Sequence, residues 1–282
     1  MNDIDFYSNI DSNKLDLGMA ARSFVLASLP YKPITGNVYQ RKNGHFTLSL
    51  VTSYKLPYGV IPRLLLCFLT REAARKKNKV IILGDSLADF MRSLGFLNIT
   101  GGRWGSITRL KEGVKRLFSC MVSVQWEDKE KTLIKHFLPV SQVQIYNWWD
   151  QNPEQKYLWE SSVTLTEEFY QELITSPIPF RISTLSMLKN SPLAIDLYLW
   201  ASYRNSYIKH KSLIPWQSLI AQFGSNVPCT PRGLSDFKKI FSRGLEKVAM
   251  VYPSASKLLI NSEGLLFVPG SPDVPKLNSE NE

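Results

Sequence analysis

The chain has 282 residues, of which 44% are hydrophobic and 21% are charged. This length allows two small domains or one large one, and this composition excludes both a disordered chain and a disulfide-stabilised miniprotein. The 34 Lys and Arg residues outnumber the 24 Asp and Glu residues and give a net charge of +10 at pH 7, so the expected partners are polyanions.

The N-terminal half begins with an acidic, polar segment, residues 1–30, which we expect to be flexible. From Pro62 to Gly95 the sequence then predicts an apolar helix, a short strand at 80–83 and a second helix. Proline is tolerated at the start of a helix, Asp85 is placed to cap the second helix, and Gly95 suits a left-handed C-cap. This stretch therefore predicts helix, strand and helix in that order.

A third helix and a β-hairpin are predicted next. Apolar residues recur at helical spacings of 3 and 4, in the order Ile107, Leu110, Val114, Leu117 and Met121. Two apolar runs then flank a charged turn at 127–131, which favours a hairpin. A further strand and a helix that starts at Thr166 lead to Pro177 and Pro179, where the pattern predicts a domain boundary.

The same order recurs in the C-terminal half. Residues 192–224 repeat the helix, strand and helix of residues 62–95 with one residue fewer. A third helix carries an apolar stripe, and a hairpin is predicted around residues 262–264. The stripe consists of Phe237, Phe241, Leu245 and Val248. The recurrence indicates an internal repeat.

Helix, strand, helix, helix and hairpin is the order of a winged helix, a helix-turn-helix whose third helix can enter a DNA major groove beside the hairpin wing. The predicted fold class is therefore α+β, mainly helical, with two tandem winged-helix domains that form an internal repeat. The first unit comprises residues 31–180, the second unit comprises residues 181–270, and residues 271–282 are predicted to be a flexible tail. Chance recurrence of helices and hairpins, as in many α+β domains, is the alternative.

Charge is concentrated in two blocks. Residues 62–120 contain twelve Lys and Arg against four Asp and Glu, and residues 189–250 contain nine against three. In both blocks polar and basic residues of the third helix lie off the apolar stripe, and these side-chain types contact phosphates and base edges. The predicted DNA-binding residues are Arg103, Trp104, Ser106, Thr108, Arg109, Lys111, Lys115, Arg116, Arg232, Ser235, Lys238, Lys239, Ser242 and Arg243. A pair of solvated helix faces is the alternative.

The loop before the first of these helices, TGGRWGS at residues 100–106, resembles a phosphate-binding loop. Glycines at a helix start expose N–H groups to an anion, and Arg103 and Arg109 add charge. The loop lacks the Lys of nucleotide-binding loops, so a DNA phosphate is the expected anion; a simple turn is the alternative. Trp104 is predicted to pack under this turn, with stacking or wedging as the alternative. The tryptophans assigned to the cores are Trp148, Trp149, Trp159, Trp200 and Trp216.

No catalytic or metal-binding constellation emerges from the sequence. The GDSL tetrapeptide at residues 84–87 matches the start of a serine hydrolase motif, yet none of the 3 histidines has the Asp three positions earlier that this family requires. The His-x-His pair of a nicking nuclease does not occur. The 3 cysteines are too far apart for a C-x-x-C metal site or a disulfide framework. We expect a non-enzymatic protein without metal or cofactor.

The sequence also bears on the compartment. Residues 1–18 lack the basic start and the apolar core of a secretory signal. No stretch approaches the ~18 uninterrupted apolar residues of a membrane span, and free cysteines suit a reducing cytoplasm. We expect a soluble, intracellular protein with no membrane partner.

Several segments together resemble the RepA-type replication initiators encoded by bacterial plasmids. They are residues 58–95, TGGRWGSITRLKEGVKRLFS at 100–119, SPLAIDLYLWASYR at 191–204, IPWQSLIAQFG at 214–224 and the Tyr252-Pro253 pair. The resemblance covers most of residues 56–270. It implies a cytoplasmic bacterial protein that binds direct repeats (iterons) in double-stranded DNA at a plasmid origin, helps to open the duplex, and recruits the host initiator and the replicative helicase. It implies no cutting of DNA.

A wider similarity to iteron-binding initiators with two winged helices implies a division of labour. The C-terminal unit would read sequence, and the N-terminal unit would mediate homodimer formation or contact the DNA backbone. In this chain the N-terminal unit is the more basic one, so both third helices remain candidates for reading DNA. A winged-helix transcriptional repressor and a winged-helix protein-interaction scaffold are the alternative functions.

Overall fold

The computed structural model of the protein describes residues 16–84, 86–96, 98–128, 130–144, 161–225, 227–228 and 230–275. These residues form an α+β fold, as predicted. Up to residue 181 the elements are β1 (Leu17–Ala20), α1 (Arg22–Leu26), β2 (Val38–Asn43), β3 (Phe46–Thr52), α2 (Val60–Lys76), β4 (Val80–Gly84), α3 (Leu87–Ser93), α4 (Ser106–Phe118), β5 (Cys120–Glu127), β6 (Thr132–Phe137), β7 (Val140–Gln144), β8 (Ser161–Leu165), α5 (Glu167–Ile174) and β9 (Ile178–Arg181). They are followed by α6 (Ile182–Leu188), α7 (Pro192–Asn205), β10 (Ser212–Pro215), α8 (Trp216–Phe223), α9 (Pro231–Val251), a 3-10 helix (Pro253–Lys257), β11 (Leu259–Ile260) and β12 (Gly264–Phe267).

The first helix of each repeat starts close to the predicted proline. α7 begins at Pro192, and the side chain of Ser191 caps it by accepting a hydrogen bond from the Ala194 N–H. α2 begins at Val60, so Pro62 lies in its first turn. N–H groups in the first turn of a helix have no intrahelical partner, so a proline there removes no helical hydrogen bond. Both starting signals are local, and the sequence therefore locates these helices well.

The cap of α3 differs from the prediction. Ser86 occupies the N-cap position, where its Oγ accepts a hydrogen bond from the Asp89 N–H at 3.1 Å and donates one to the Asp89 carboxylate at 2.7 Å. The assignment of the cap to Asp85 is therefore wrong, and Asp85 itself lies outside the described residues. Ser86 is buried, so helix capping accounts for the hydroxyl of the GDSL tetrapeptide.

The second unit contains a three-stranded antiparallel sheet in the order β10-β12-β11. The predicted C-terminal hairpin is thus present, and the strand between α7 and α8 pairs with its second strand. Two hydrogen bonds hold the hairpin to the start of α8. The Trp216 N–H donates to the Glu263 carbonyl at 3.2 Å, and the Trp216 indole N–H donates to the Asn261 carbonyl at 3.2 Å. The tip of this hairpin is therefore fixed relative to the helices.

In the first unit the corresponding strand, β4, pairs with β8, and β8 pairs with β7. The hairpin predicted around residues 127–131 does form, as β5 and β6, but it belongs to a separate four-stranded sheet in the order β2-β3-β5-β6. The hairpin that was predicted as the wing therefore does not pair with β4. The strands that do lie there are separated by residues 145–160, so no compact hairpin pattern marks them in the sequence.

Residues 16–30 belong to the folded core, contrary to the prediction of a flexible segment through residue 30. β1 pairs antiparallel with β9, and Phe24, Val25 and Leu29 are buried. The acidic residues that suggested flexibility lie at or before residue 16, whereas the residues that follow are mainly apolar. Residues 1–15 lie outside the described residues.

The start of the predicted flexible tail is also packed against the protein. The Asp273 carboxylate accepts a hydrogen bond from the Tyr198 hydroxyl of α7. The guanidinium of Arg181, at the end of β9, lies 3.9 Å from the Asp273 carboxylate and 3.8 Å from the Asp16 carboxylate. The first and last described segments therefore meet at one side chain. Residues 276–282 lie outside the described residues.

The two predicted units share one hydrophobic core. A continuous cluster of buried side chains extends from Ala20 and Leu65 in the N-terminal half to Phe241 and Phe267 in the second unit. Polar contacts also cross between the halves, since the Arg41 guanidinium donates a hydrogen bond to the Gly224 carbonyl at the end of α8 at 2.8 Å. The predicted boundary near residues 177–191 therefore separates two repeats of sequence that pack as one body.

A buried ion pair joins the first helices of the two repeats. The Arg63 guanidinium of α2 and the Asp196 carboxylate of α7 lie 2.7 Å apart. Arg63 makes five hydrogen bonds: two to Asp196 and three to the backbone carbonyls of Leu29, Pro30 and Gly59. Burial raises the pKa of the Asp196 carboxyl, and the Arg63 cation opposes that shift. Arg63 thus connects α2, α7 and the segment that precedes α2.

Each third helix packs on the first helix of its own unit at a glycine. A Cβ atom at Gly113 of α4 would overlap the Ile61 side chain of α2, and one at Gly244 of α9 would lie 3.0 Å from the Leu197 Cδ1 atom of α7. The missing side chain lets the two helix backbones approach closely. Both units therefore seat the third helix by the same device and direct its opposite side outward.

Candidate nucleic-acid interface

α9 presents a row of cations to solvent. Phe237 and Phe241 are buried on its inner side, whereas Arg232, Lys239 and Arg243 are exposed on the opposite side. The three cations are spaced by seven and four residues, which correspond to about two helical turns and one. They therefore lie in one line along the helix, and the buried aromatic rings fix the direction in which this line points.

Two of the predicted DNA-binding residues of α9 are engaged within the protein. The Ser242 hydroxyl donates a hydrogen bond to the Glu246 carboxylate at 3.1 Å. The Lys238 ammonium donates to the Ser262 carbonyl at 3.3 Å and lies 5.0 Å from the centroid of the Trp216 ring. Lys238 therefore joins α9 to the tip of the C-terminal hairpin, and the structure does not place it in the row of exposed cations.

Ile240 lies on the exposed side of α9, and the sequence analysis missed it. Its side chain is 54% exposed, and it lies one helical turn from both Asp236 and Arg243. Ser235, a predicted site residue, is exposed on the same side of the helix. An apolar side chain among cations can contact the methyl group of thymine. The position of Ile240 outside the apolar stripe that contains Phe237 is the signal that could have identified Ile240.

The first turn of α4 is organised by hydrogen bonds within the protein. The Ser106 N–H donates to the Thr100 hydroxyl at 3.0 Å, and the Thr100 N–H donates to the Ser106 hydroxyl at 2.9 Å. The Thr108 hydroxyl donates to the Gly102 carbonyl at 2.8 Å. Ser106 is buried, so this predicted site residue shapes the 100–106 loop instead of facing a ligand. Its N–H is already paired, which favours the simple turn over a phosphate cradle.

The last turn of α4 carries one packed cation and one exposed cation. The Arg116 guanidinium lies 4.8 Å from the centroid of the Tyr58 ring and 3.6 Å from the Glu112 carboxylate, and its side chain is only 16% exposed. Lys115 is exposed, and its ammonium lies 5.1 Å from the centroid of the Tyr54 ring. Arg116 is therefore a packing residue, whereas Lys115 is accessible to a ligand.

Trp104 projects from the loop that leads into α4. Its side chain is 82% exposed, so the prediction that it packs under the turn is wrong. The exposed predicted cations of this region are Arg103, Arg109, Lys111 and Lys115. Of the other tryptophans, Trp200 and Trp216 are buried as predicted, and Trp148, Trp149 and Trp159 lie outside the described residues.

Part of the basic excess of residues 62–120 is paired inside the protein. Arg63 is buried with Asp196. The Glu72 carboxylate lies 2.7 Å from the Arg75 guanidinium and 3.6 Å from the Lys76 ammonium. A count of charges along the sequence therefore overstates the positive charge that the first unit offers to a ligand.

Metal centres and reactive thiols depend on how His, Cys, Asp and Glu side chains are placed. Within the described ranges, no group of three or more His, Cys, Asp or Glu side chains could hold a metal ion. Burial raises the pKa of the Cys67 and Cys120 thiols to about 12, so both stay protonated at neutral pH. Cys229 lies outside the described residues. In the same part of the chain, no helix is both long and apolar enough to cross a membrane.

The chain is similar to a protein family and to solved structures, among them two of RctB domains 2 and 3. The family described as plasmid encoded RepA protein matches residues 56–217, which include α4 and end before α9. No curated protein sequence matches the chain. A selenomethionine derivative of domains 2 and 3 of RctB aligns with a TM-score of 0.54 at 11% identity, over 89% of this chain and 98% of that one. A structure of RctB residues 155–483, domains 2–3, aligns with a TM-score of 0.52 at 12% identity, over 86% and 94%. At these identities the likeness concerns the fold alone.

Proposed function

Because this chain belongs to the plasmid encoded RepA protein family, we propose that it is a replication initiator that binds repeated sequences (iterons) in double-stranded DNA at a plasmid origin. In this proposal it binds each repeat specifically, helps to open the origin, and recruits the host initiator and the replicative helicase. It acts by binding alone, without cutting DNA, in the bacterial cytoplasm.

The observation that carries this proposal is the exposed row of Arg232, Lys239 and Arg243 on α9. An α-helix with its side chains is about 10–12 Å across, and the DNA major groove is about 12 Å wide. A rigid helix with cations along its outer side therefore fits the groove and its flanking phosphates. Ile240 and Asp236, between these cations, have the chemistry to contact a thymine methyl group and a cytosine amino group.

The strand pairing supports a winged-helix interpretation of the second unit. The order α7, β10, α8, α9, β11 and β12, with β10 beside β12, combines a helix-turn-helix with an adjacent hairpin. In such a domain the third helix lies in the groove and the hairpin lies along the backbone. For the first unit we propose the same plan with β7 and β8 as the wing strands, in place of the predicted β5 and β6.

We assign base reading to the second unit and backbone contact to the first. α9 offers three aligned exposed cations, with one carboxylate, Asp236, among them. The Ser106 and Arg116 side chains of α4 are instead engaged within the protein. The exposed Arg109 and Lys115 of α4 can still reach phosphates, which carry no sequence information. The first unit would then hold the DNA backbone or a second copy of the chain in a homodimer.

Fluorescence anisotropy of the purified full chain tests the proposal. The probes are duplexes that carry the repeats upstream of its own gene and scrambled duplexes of equal length, at two salt concentrations. We expect a preference of about a thousandfold or more for the repeats. If roughly six to eight cations contact phosphates, the logarithm of affinity should fall against the logarithm of salt with a slope of about −5 to −7. Equal affinity for both duplexes would contradict specific binding.

Two variants test the two helices separately. Lys239→Ala on α9 and Arg109→Ala on α4 each remove one exposed cation, so each should flatten the salt slope by roughly one. Lys257→Ala, which removes an exposed cation from the 3-10 helix, serves as the matched control and should leave the slope unchanged. Unchanged DNA affinity in both test variants would overturn the assignment of the interface to these helices.

A plasmid-maintenance assay separates initiation from repression. A transcriptional repressor with the same helices would bind DNA equally well. Only an initiator, supplied in trans, makes a replicon that lacks its own initiator replicate. A protein-interaction scaffold would instead show little affinity for either duplex at physiological salt, so the anisotropy measurement also tests that alternative.

A further inference from the structure

Trp104 lies in the loop before α4, so its indole is not part of the row of cations on α9. At 82% exposure it leaves a large aromatic surface in water. Tryptophan is highly buried on average in folded proteins, and exposed aromatic side chains are typical of binding sites. A ligand with a flat apolar face would remove this aromatic surface from water.

The loop that carries Trp104 is both prominent and well supported. Gly102 has a φ of 80°, which L side chains rarely adopt, and a Cβ atom at Gly101 or Gly102 would meet no atom within 4 Å. The loop therefore projects into solvent. Its base is fixed by the hydrogen bonds that Ser106 and Thr108 make to Thr100 and Gly102. Trp104 is thus presented by a structured loop at the start of α4.

One face of the indole has a cation beside it. The Arg103 guanidinium lies 5.2 Å from the centroid of the Trp104 ring, which is the geometry of a cation–π contact. A side chain that wedges between two stacked bases needs both faces of its ring, because a base lies on either side. A ring with one open face instead suits a single base that is already unstacked. Arg103 in the loop and the exposed Arg109 in the first turn of α4 supply positive charge near this loop for the adjoining phosphates.

We propose that Trp104 and Arg103 form a stacking site for an unpaired base, through which the first unit binds single-stranded DNA. The inference deepens the proposed function, because opening an origin exposes unpaired bases, and it assigns them to a surface distinct from α9. Stacking on an aromatic ring is tolerant of sequence, since every base has a π face. The site therefore takes single strands of mixed sequence.

The test compares three fluorescent probes by anisotropy with the full chain: a single strand of about 15 nucleotides, the same strand with every base removed, and the repeat duplex. Loss of one base stack weakens binding by about 5- to 150-fold. Trp104→Ala should lose that much affinity for the single strand, and less than about twofold for the other two probes. Trp104→Phe, which keeps an aromatic ring, should retain most of the affinity.

Trp126→Phe is the matched control, because Trp126 also lies near an arginine, at 5.8 Å from Arg22, but packs its ring against Phe46. It should leave all three affinities unchanged. Unchanged single-strand affinity in Trp104→Ala would overturn the inference, and so would an equal loss on the duplex or on the baseless strand. If wild-type protein binds the duplex but no single strand, only this inference fails. If it binds the single strand but shows no preference for the repeats, only the proposed function fails.

Discussion

α4 and α9 occupy corresponding positions in the two units, but they offer a ligand different surfaces. Each packs on the first helix of its unit through a glycine, Gly113 or Gly244. α9 directs three aligned cations to solvent, whereas the Arg116 guanidinium of α4 lies over the Tyr58 ring, in the segment before α2. The surroundings of a helix, more than its own composition, therefore decide which of its charges remain available.

The contrast also bears on the larger basic excess of the first unit. Arg63, Arg75 and Arg116 all pair with carboxylates, so three of its cations contribute to the fold. The second unit has fewer cations but leaves Arg232, Lys239 and Arg243 of α9 exposed. α4 also keeps Arg109, Lys111 and Lys115 exposed. The larger basic excess of the first unit therefore does not give its third helix a larger set of exposed cations.

The largest loss of stability should come from removing the buried ion pair between the two units. Arg63→Met leaves Asp196 buried without its cation, and this should lower the free energy of unfolding by about 3–5 kcal/mol. Because α4 and α9 rest on the two helices that this pair joins, both binding surfaces should weaken together. Urea unfolding followed by circular dichroism measures the change.

A double variant and a surface variant control this result. Arg63→Met combined with Asp196→Leu should recover most of the lost stability, because apolar replacement of a whole buried pair is often neutral. Arg75→Ala removes a more exposed partner of Glu72 and should cost at most about 1 kcal/mol. A small effect of Arg63→Met alone would mean that the units are held together by the apolar core.

The second-largest change in stability should distinguish the two helix contacts that are made at a glycine. Gly113→Ala places a methyl group against the branched Ile61 side chain, and overpacking of this kind costs about 1–3 kcal/mol. Gly244→Ala meets the Leu197 Cδ1 atom at 3.0 Å and the Leu193 Cδ2 atom at 3.2 Å, which need to shift by only a few tenths of an ångström. Because it also gains up to about 1 kcal/mol of helix propensity, its net effect should be near zero. Thermal unfolding of both variants tests the difference, and equal shifts in Tm would refute it.

The third effect compares one arginine from each third helix. Arg243→Ala should weaken repeat binding by about 1 kcal/mol or more and flatten the salt slope by roughly one, because an exposed cation is lost. Arg116→Ala should leave the salt slope unchanged, since its charge is paired with Glu112. Anisotropy titrations over a salt series measure both slopes. A flatter slope for Arg116→Ala would show that α4 rearranges on DNA.

The smallest expected change in affinity tests whether Ile240 of α9 contacts a thymine methyl group. Deoxyuridine differs from thymidine only by the missing methyl group, whose burial is worth about 0.8 kcal/mol. If Ile240 contacts one such methyl group, the matching thymidine-to-deoxyuridine change should weaken wild-type binding about fourfold. The same change should have no effect on Ile240→Ala. Titrations of wild type and Ile240→Ala with both duplexes form a double-mutant cycle. If the free-energy losses from the protein change and the DNA change simply add, Ile240 does not contact that methyl group.

Local signals in the sequence predicted most of the helices and strands. The prolines in the first turns of α2 and α7, the apolar stripes of α4 and α9, and both hairpins are short-range patterns. The structure contains each of these elements. The cap of α3 was misplaced by one residue because Asp85 and Ser86 are both good N-cap residues. Ser86 is the cap because its hydroxyl makes hydrogen bonds to Asp89, and residue spacing alone does not reveal these bonds.

Long-range contacts could not be predicted in the same way. β4 pairs with β8 across some eighty residues, whereas the nearer hairpin of β5 and β6 belongs to another sheet. Short-range patterns in the sequence do not reveal this pairing. The burial of Ser106 and the exposure of Trp104 depend on how the 100–106 loop folds back, and both types of residue occur in either setting. The sequence therefore predicted the region of the site, but it did not predict which individual residues face a ligand.

The meeting of Asp16 and Asp273 at Arg181 has a consequence for the order of the chain. The first and last described segments therefore lie close together, and proteins with this arrangement tolerate circular permutation. New ends could be opened in the turn at residues 127–131, with a short linker between residues 16 and 275. The second unit would then be synthesised before most of the first, while every contact between them could remain.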